Sequence, residues 1–296
     1  MSFFYGFTGS LNYTEGTFWQ ALLQADVLLV TIAAILVFAG FFFKISAAPF
    51  HFWTPDVYQG APMPVVALFS TGPKMAGIMV ILRFVAAFAD PVVASYFDDI
   101  LLFLGIAAVA TLVIGNFTAL WQKTPRRMMA YSSVSHAGFL LMGLLALGTN
   151  YSSCVLFYLT VLLFMNYGVF LFLQISEENF GITKLEHFTG MGYKLPYLGV
   201  MALLYLLSLT GLPPLAGFMG KLLIFSNIWE AYSLSNQTML LVLLVAGVLL
   251  TGVALFYYIR IPYYLFLKRN LTEEKLVISL SDKLLLAFFA VPLLVL

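Results

Sequence analysis

The sequence predicts an all-α polytopic membrane protein with about eight transmembrane helices, two of them discontinuous. Of its 296 residues, 62% are hydrophobic and 9% are charged, and the mean hydropathy is +1.00. Apolar runs of about 20 residues recur along the chain, which is the length an α-helix needs to cross a bilayer core of about 30 Å. Alternating strand patterns are absent, so helices rather than a barrel must satisfy the backbone polar groups.

Hydropathy and helix-breaking residues place the eight predicted helices along the chain. They cover residues 20–53, 64–89, 99–121, 126–149, 151–175, 196–232, 238–268 and 281–296. The first contains Pro49, the sixth contains Pro213 and Pro214, and each is longer than one crossing requires, so both are predicted to be discontinuous. Residues 1–19 are predicted to form an N-terminal segment, and residues 20–296 a single transmembrane helical domain.

The basic residues of the predicted loops all fall on one side of the membrane. Nine of the 14 Lys and Arg residues lie in the loops near residues 122–127, 176–195 and 268–283 or at the helix ends beside them: Lys123, Arg126, Arg127, Lys184, Lys194, Lys268, Arg269, Lys275 and Lys283. The opposite loops and residues 1–19 hold none. This asymmetry supports the helix count and assigns the basic side to the cytoplasm of a bacterium or the equivalent compartment of an organelle.

The other five basic residues lie inside predicted spans. A charge in hydrocarbon costs about 2.5 to 17 kcal/mol, so such a residue must face protein or water and often marks an ion path. A buried lysine can also exchange its proton near neutral pH. We interpret Lys44, Lys74 and Lys221 as functional. Arg83 and Arg260 lie late in their helices, where reaching toward the headgroups or structural pairing is the simpler interpretation.

The predicted spans contain no acidic residue at mid-depth, although a buried ammonium normally pairs with a carboxylate. The 13 Asp and Glu residues lie in loops, near helix ends, or in the polar stretch TPDVYQGAP at residues 54–62. Either the lysines are neutral at rest, or another chain or a missing segment supplies the opposite charge.

One histidine lies among hydroxyl groups that could hold a water path. His136 in YSSVSHAGFLLMG, residues 131–143, is flanked by Ser132, Ser133 and Ser135. A proton-relay residue and a neutral histidine bonded to a neighbouring helix both fit this pattern, whereas His51 fits a structural role better. Metal-ligand spacings, phosphate-binding glycine loops and nucleophilic triads are absent from the sequence. We therefore predict no metal site. The near balance of 14 basic and 13 acidic residues predicts no nucleic-acid partner.

Three stretches resemble one known family. FKISAAPFHFWTPDVYQGAPMPVVALFSTGPKMAG at residues 43–77 closely resembles the signature of the subunit 2 family of respiratory complex I, NADH:ubiquinone oxidoreductase. RRMMAYSSVSHAGFLLMG at 126–143 and GLPPLAGFMGK at 211–221 resemble two further signatures of that family, in the same order. The resemblance covers nearly the whole chain, and its motifs are long enough to be specific.

The resemblance implies an antiporter-like inverted-repeat fold that translocates protons along a hydrophilic axis. By motif, Lys44 matches the lysine of the first broken helix, Lys74 that of the next helix, and Lys221 that of the second broken helix, with His136 between them. Family members bind no cofactor themselves and perform no redox chemistry. The complex as a whole carries NADH, FMN, iron–sulfur clusters and ubiquinone. Its other membrane-arm subunits and lipids are the implied partners.

The chain departs from the family pattern at its start. YGFTGSLNYTEG at residues 5–16 resembles the link after the sixth of fourteen helices, so about six N-terminal helices are absent, together with the glutamate that pairs with the first lysine. We expect a split subunit whose separate N-terminal fragment supplies these helices and that glutamate. Such splitting and the many aromatic residues favour a mitochondrial inner membrane over a bacterial plasma membrane.

Two alternatives to a proton-pumping role stay open at this point. The chain could be a structural scaffold of the membrane arm whose proton path was lost with the N-terminal helices. It could also be a stand-alone cation/proton antiporter, which would need an ion-coordinating carboxylate within the spans.

Overall fold

The computed structural model describes residues 2–12, 15–86, 97–146, 151–268 and 278–296. The predicted helix ends at 87–89 and 147–149, and the basic residues Arg269 and Lys275, lie outside these ranges. Within them every regular element is helical. The α-helices are α1 Ser2–Thr8, α2 Gly16–Gln24, α3 Val27–Ile45, α4 Trp53–Gly60, α5 Met63–Ala86, α6 Phe97–Trp121, α7 Pro125–Leu145, α8 Tyr151–Phe180, α9 Met191–Lys194, α10 Pro196–Thr210, α11 Ala216–Ser235, α12 Thr238–Tyr258, α13 Arg260–Pro262 and α14 Leu280–Val295. A 3₁₀ turn covers Leu185–Phe188, and a π-helical turn covers Tyr263–Leu267.

Six helical segments of the described chain are long and apolar enough to cross a membrane, which makes this a multi-pass membrane protein. They are Val27–Ile45, Met63–Val85, Leu102–Trp121, Pro125–Leu145, Ser152–Phe180 and Thr238–Leu267. The predicted number of eight also includes 196–232 and 281–296. The structure divides the first of these into α10 and α11, and α14 has only 16 residues.

The first interruption lies between α3 and α4, where one predicted helix covered residues 20–53. That prediction was too long, because α3 ends at Ile45 and Ser46 takes a left-handed conformation with φ of 64°. The freed backbone groups find side-chain partners. The Ala48 amide donates to Thr111 Oγ1 at 3.0 Å, and Trp53 Nε1 donates to the Phe43 carbonyl at 3.0 Å. Pairing of this kind is what an interrupted helix inside a protein requires.

The second interruption separates α10 from α11 and contains Pro213 and Pro214. Gly211 ends α10 with φ of 85°, a conformation that glycine adopts without steric cost. Its amide donates to the carbonyls of Leu207 and Ser208, each at 3.0 Å. Helix α11 then begins at Ala216 and carries Lys221 in its second turn.

Helix α7 is the most enclosed of the candidate spans, with 94% of its apolar window buried. It packs against α4, α5, α6, α8, α11 and α12. Two glycines let α6 approach it closely. A Cβ added at Gly115 would lie 2.6 Å from the Ser135 amide nitrogen, and one at Gly138 would lie 2.7 Å from Leu112 Cγ. Because α7 is enclosed on all sides, its polar side chains must find partners within the protein.

The basic loops meet on one face of the molecule, which we call the basic face. The Leu185 amide donates to the Lys123 carbonyl at 3.1 Å, joining the segments before α7 and after α8. Arg126 forms an ion pair with Glu177 at 2.8 Å and donates to the Ala61 carbonyl at 2.9 Å. Arg126 therefore connects the start of α7 to the end of α8 and to the link between α4 and α5.

We expect Arg126→Ala to lower the free energy of unfolding by about 1–3 kcal/mol, because it leaves the carbonyl of Ala61 and the partly buried Glu177 without their donor. Arg127 provides a matched control. Its contact with Asp56 is 3.4 Å long and that carboxylate is 79% exposed, so Arg127→Ala should cost less than about 1 kcal/mol. Melting curves of the detergent-solubilised protein would test this pair. Equal losses would show that Arg126 has no special role.

Candidate functional site

Lys74 is 1% exposed in the middle of α5. Its ammonium donates to the backbone carbonyl and to the hydroxyl of Ser133 on α7. The same hydroxyl bonds the Tyr58 hydroxyl of α4 at 2.9 Å. No carboxylate of the described residues forms an ion pair with Lys74. The amine is thus solvated by neutral oxygen atoms and not by an opposite charge.

His136 is the centre of a second buried cluster. Its Nδ1 lies 2.7 Å from the Tyr158 hydroxyl of α8, and its Nε2 lies 3.0 Å from the Tyr258 hydroxyl of α12. The Tyr258 hydroxyl also bonds the Ser132 hydroxyl. Four side chains from three helices therefore form a line of hydrogen bonds, in the order Ser132, Tyr258, His136, Tyr158.

The hydrogen bonds of this line can run in either direction. A neutral imidazole donates through one nitrogen and accepts through the other, and each hydroxyl both donates and accepts. With the proton on Nδ1, His136 donates to Tyr158 and accepts from Tyr258. With the proton on Nε2, the direction of both bonds reverses. The geometry fits both tautomers, so the arrangement can serve a relay as well as a fixed structural contact.

Lys221 is 3% exposed and lies against the second interruption. Its ammonium donates to the carbonyls of Thr210 at 2.8 Å and Leu209 at 3.2 Å, two groups that the end of α10 leaves free. It also lies 4.7 Å from the ring centre of Phe139, within the range of a cation–π contact. A Cβ at Gly211 would lie 2.8 Å from Lys221 Cδ, so that glycine makes room for the lysine stem.

Three residues of α7 organise these contacts, and we call them the α7 stripe: Ser133, His136 and Phe139. They are three residues apart, so they follow one row along the helix. Lys74 contacts Ser133 and Lys221 contacts Phe139. Tyr158 and Tyr258 contact His136. The ring centres of His136 and Phe139 are 6.3 Å apart. The structure thus brings Lys74, His136 and Lys221 together along one helix.

The stripe lies near the middle of the helices that carry it. Lys74 is about 16 Å along α5 from Met63, and His136 is about 16 Å along α7 from Pro125, at 1.5 Å per residue. Both helices begin at the basic face, where Arg126 bonds the Ala61 carbonyl. Because the hydrocarbon core is about 30 Å thick, the polar line runs near its middle.

The fourth predicted site residue, Lys44, is not joined to this line. It lies in the last turn of α3 and is exposed at the surface of the chain. Its stem passes α5, since a Cβ at Gly77 would lie 3.7 Å from Lys44 Cγ. No described residue bonds its ammonium. The sequence predicts Lys44 near the middle of the long, interrupted element 20–53, whereas the end of α3 at Ile45 puts it in the last turn of a helix.

The other polar residues singled out in the sequence have simpler surroundings. Arg260 donates to the carbonyls of Leu120 at 2.9 Å and Gln122 at 2.8 Å, and so stabilises the end of α6. Arg83 is exposed, and His51 is buried within the first interruption. Among the described residues, no group of three His, Cys, Asp or Glu side chains could hold a metal ion.

Sequence reasoning missed the three tyrosines of the site, Tyr58, Tyr158 and Tyr258, because it interpreted aromatic residues as core or lipid-facing. Each is at most 1% exposed. A signal was present: a tyrosine hydroxyl inside an apolar span must find a hydrogen-bond partner. Tyr257 illustrates this, since its hydroxyl donates to Asn116 Oδ1 at 3.3 Å and Asn116 donates in turn to the Ser135 hydroxyl at 2.7 Å.

Comparison with known proteins shows the family of the chain. Residues 1–253 match the family described as NADH:quinone oxidoreductase/Mrp antiporter, transmembrane region. The chain belongs to this family. NADH-quinone oxidoreductase subunit N of Chlorobium chlorochromatii is 38% identical over 271 residues, covering 90% of this chain and 52% of that protein.

Solved structures extend the family likeness. A chain of respiratory complex I from Thermus thermophilus, solved with bound aureothin, shares 32% identity at a TM-score of 0.75. The match covers 99% of this chain and 61% of the Thermus thermophilus chain. A chain of the membrane-bound sulfane sulfur reductase, an archaeal respiratory membrane complex, shares 25% identity at a TM-score of 0.81. The match covers 98% of this chain and 57% of the reductase chain. This member of the NADH:quinone oxidoreductase/Mrp antiporter family thus spans roughly half to three-fifths of the length of these relatives.

Proposed function

We propose that the chain is part of a proton-translocating membrane-arm subunit of an NADH:quinone oxidoreductase. Protons move along a lateral axis through Lys74, His136 and Lys221, driven by quinone reduction elsewhere in the complex. The observation that carries the proposal is the line from Ser132 to Tyr158, with a buried lysine on either side. Groups that exchange protons, placed at mid-membrane depth, are typical of proton relays.

In each transfer, one proton enters the line at Tyr258 and a different proton leaves it at Tyr158. A proton that reaches the Tyr258 oxygen passes to His136 Nε2, while the Nδ1 proton passes to the Tyr158 oxygen. The original Tyr158 hydroxyl proton then leaves toward a neutral Lys221 amine. His136 is left protonated on Nε2, and it returns to the Nδ1 tautomer by giving the Nε2 proton to water and taking one from water on Nδ1. Water bridges the steps from Ser133 to Ser132 and from Tyr158 to Lys221, where no direct bond joins the side chains.

The proposal includes the finer topology. We propose eight crossings, in which α3 with α4 and α10 with α11 each form one discontinuous helix, and in which Pro49, Pro213 and Pro214 hold the backbone open beside the lysines. Interrupted helices of this kind form ion sites where the free backbone groups face protein or water. All eight crossings belong to a single domain in this proposal.

Lys44 is proposed to meet a carboxylate that lies outside the described residues. Its ammonium is exposed at the end of α3, and the family resemblance pairs this lysine with a glutamate of an earlier helix. That helix belongs either to a preceding segment or to a separate chain. NADH, FMN, iron–sulfur clusters and ubiquinone belong to other parts of the complex in this proposal, and lipids surround the helices. The mitochondrial inner membrane stays a prediction from the sequence, since the relatives described above are bacterial or archaeal.

We expect Tyr158→Phe to reduce redox-driven proton translocation by about 10- to 100-fold, within the range typical for loss of one proton-transfer group. The ring stays in place, so packing against Gly220 and Phe139 is kept. Tyr205→Phe is the matched control, because it removes a buried hydroxyl bonded to the Leu286 carbonyl, away from the line. The measurement is acidification of proteoliposomes containing the complex during quinone reduction. Unchanged pumping in Tyr158→Phe would favour the alternative of a structural scaffold.

A further inference from the structure

A cleft of mixed polarity lies between α8 and α11 on the side opposite the basic face. It has a volume of about 410 Å³, and its lining includes Ser153, Phe157, Leu223, Ser226, Asn227 and Glu230. The α8 residues lie in the first two turns of that helix, and Glu230 lies in the last two turns of α11. A volume of this size is within the range of roughly 300–1,000 Å³ that small-ligand pockets have.

The two helices line the cleft with polar side chains at its outer end and apolar ones at its inner end. On α8, Ser153 lies in the first turn, and Phe157 lies one turn deeper. On α11, Glu230 lies nearest the helix end, and Leu223 lies about 10 Å deeper at 1.5 Å per residue. The cleft therefore matches an amphipathic ligand whose polar part points toward the membrane surface.

Asn227 is the unusual residue of this cleft. It is 4% exposed, and its amide nitrogen has no hydrogen-bond partner among the described residues. A buried N–H group without an acceptor costs free energy, so a ligand at this point should supply an acceptor oxygen. Glu230 lies one turn, or about 5 Å, nearer the outer end of the helix.

The negative charge at the mouth of the cleft is not balanced within it. Glu230 is exposed there, and no described residue that lines the cleft is basic. Neither of the ion pairs found among the described residues includes Glu230. A ligand with a cationic group at its outer end would complete this site, whereas an anionic one would be repelled.

Aromatic residues at the end of α11 indicate the depth at which the cleft opens. Trp229 is exposed, and its ring centre lies 5.8 Å from that of Tyr232. Tryptophan and tyrosine are enriched at the headgroup level of membranes. Because Glu230 lies between these two residues in the sequence, the mouth of the cleft opens where lipid headgroups lie.

We propose that this cleft binds the headgroup of a phospholipid that ends in a primary ammonium, as in phosphatidylethanolamine. The ammonium pairs with Glu230 at the mouth, and a phosphate or ester oxygen accepts from the Asn227 amide one turn deeper. The acyl chains follow Phe157 and Leu223 inward. A cation outside and acceptor oxygens inside is the order in which these groups follow one another in such a lipid. The inference goes beyond the proposed function and does not depend on it.

Cys154 also lines the cleft and is the single cysteine of the sequence, so it can serve as the probe. The complex is purified in detergent, stripped of lipid and treated with N-ethylmaleimide while phosphatidylethanolamine is added, and mass spectrometry of this chain gives the rate of modification. Once the lipid exceeds its Kd tenfold, we expect the rate to fall about tenfold, because the occupied cleft covers the thiol. Phosphatidylcholine, whose ammonium has no N–H, and phosphatidylglycerol, which has no cation, should bind at least about tenfold more weakly.

Glu230→Lys should reverse the preference among these lipids, because the positive side chain repels an ammonium and attracts the anionic headgroup of phosphatidylglycerol. Glu230→Gln should raise the Kd for phosphatidylethanolamine about tenfold. Glu178→Gln is the matched control. It alters an exposed carboxylate near the opposite end of α8 and should leave the Kd unchanged.

Asn227→Leu removes the buried donor and should also raise the Kd for phosphatidylethanolamine about tenfold. Asn166→Leu is its control, because Asn166 is a buried amide of α8 that likewise lacks a partner among the described residues but does not line the cleft. Each Kd comes from the concentration dependence of protection, so a variant that changes the unprotected rate can still be compared.

Several results would overturn the inference. Equal protection by all three lipids would mean that acyl chains cover the thiol without recognition of the headgroup. Equal protection by water-soluble phosphoethanolamine would mean that the cleft takes a solute and not a lipid. If no lipid changes the rate, or if Cys154 stays unmodified even in stripped Glu230→Lys, the cleft holds only water or is closed. None of these results concerns proton translocation, so the proposed function can fail or stand separately.

Discussion

Replacing Lys221 with methionine is expected to lower redox-driven proton translocation by at least about 100-fold, because it removes the amine that receives and releases the proton. Methionine keeps a long, unbranched side chain against Phe139 and Gly211. The substitution leaves the carbonyls of Leu209 and Thr210 without a donor, which lowers stability by about 1–3 kcal/mol. The measurement is proton uptake or release per quinone reduced, in proteoliposomes containing the assembled complex.

Lys221→Arg separates proton exchange from a fixed charge. Arginine keeps the positive charge and the donors to the α10 carbonyls, but it does not give up its proton in proteins. We expect it to fail in pumping as methionine does. Lys123→Met, in an exposed loop of the basic face, is the control and should pump normally. If Lys221→Arg pumped normally, Lys221 would be a structural cation at the helix break.

Gly217→Ala is expected to have the largest effect on folding. A Cβ there would lie 1.8 Å from the Ser208 carbonyl oxygen, and this neighbour is backbone that cannot rotate away. The Gly217 amide also donates to the Ser208 hydroxyl at 3.2 Å. The helices α10 and α11 must therefore move apart, and we expect a cost of about 3 kcal/mol or more.

Gly252→Ala is the matched control for this substitution, since no atom lies within 4 Å of the added Cβ. It should be neutral or slightly stabilising, because alanine is the better helix former. Melting temperature in detergent and the amount of chain in the assembled complex would distinguish the two variants. Equal behaviour would mean that the approach of α10 to α11 is not required for the fold.

Much of the fold followed from local properties of the sequence. The lengths of the apolar runs predicted that α5, α6, α7, α8 and α12 exist and where each begins, to within two residues. The predicted ends of these helices were less accurate. Helix α8 extends to Phe180 and not to residue 175. The reason is a contact made elsewhere: Glu177 in its last turns pairs with Arg126, which stabilises polar residues that hydropathy assigns to a loop.

Some of the buried polar residues were predicted from the sequence. Lys74 and Lys221 stood out because a charge inside an apolar run needs a reason, and both are buried beside α7. The tyrosine hydroxyls did not stand out, because whether an aromatic residue faces lipid or a histidine depends on the packing of helices far apart in sequence. His136 and Tyr258 are 122 residues apart. The exposure of Lys44 could not be predicted either, because it also depends on how the helices pack.

The α7 stripe has a consequence for how the steps could be controlled. Its three residues contact different sets of outer helices: Ser133 contacts α4 and α5, His136 contacts α8 and α12, and Phe139 contacts Lys221 of α11 and Tyr158 of α8. A small displacement of α5 or α11 would therefore open one contact and leave the others intact. In the proposed function, the neighbouring helices would act as separate gates on one path, and the order in which they move would set the direction of proton transport.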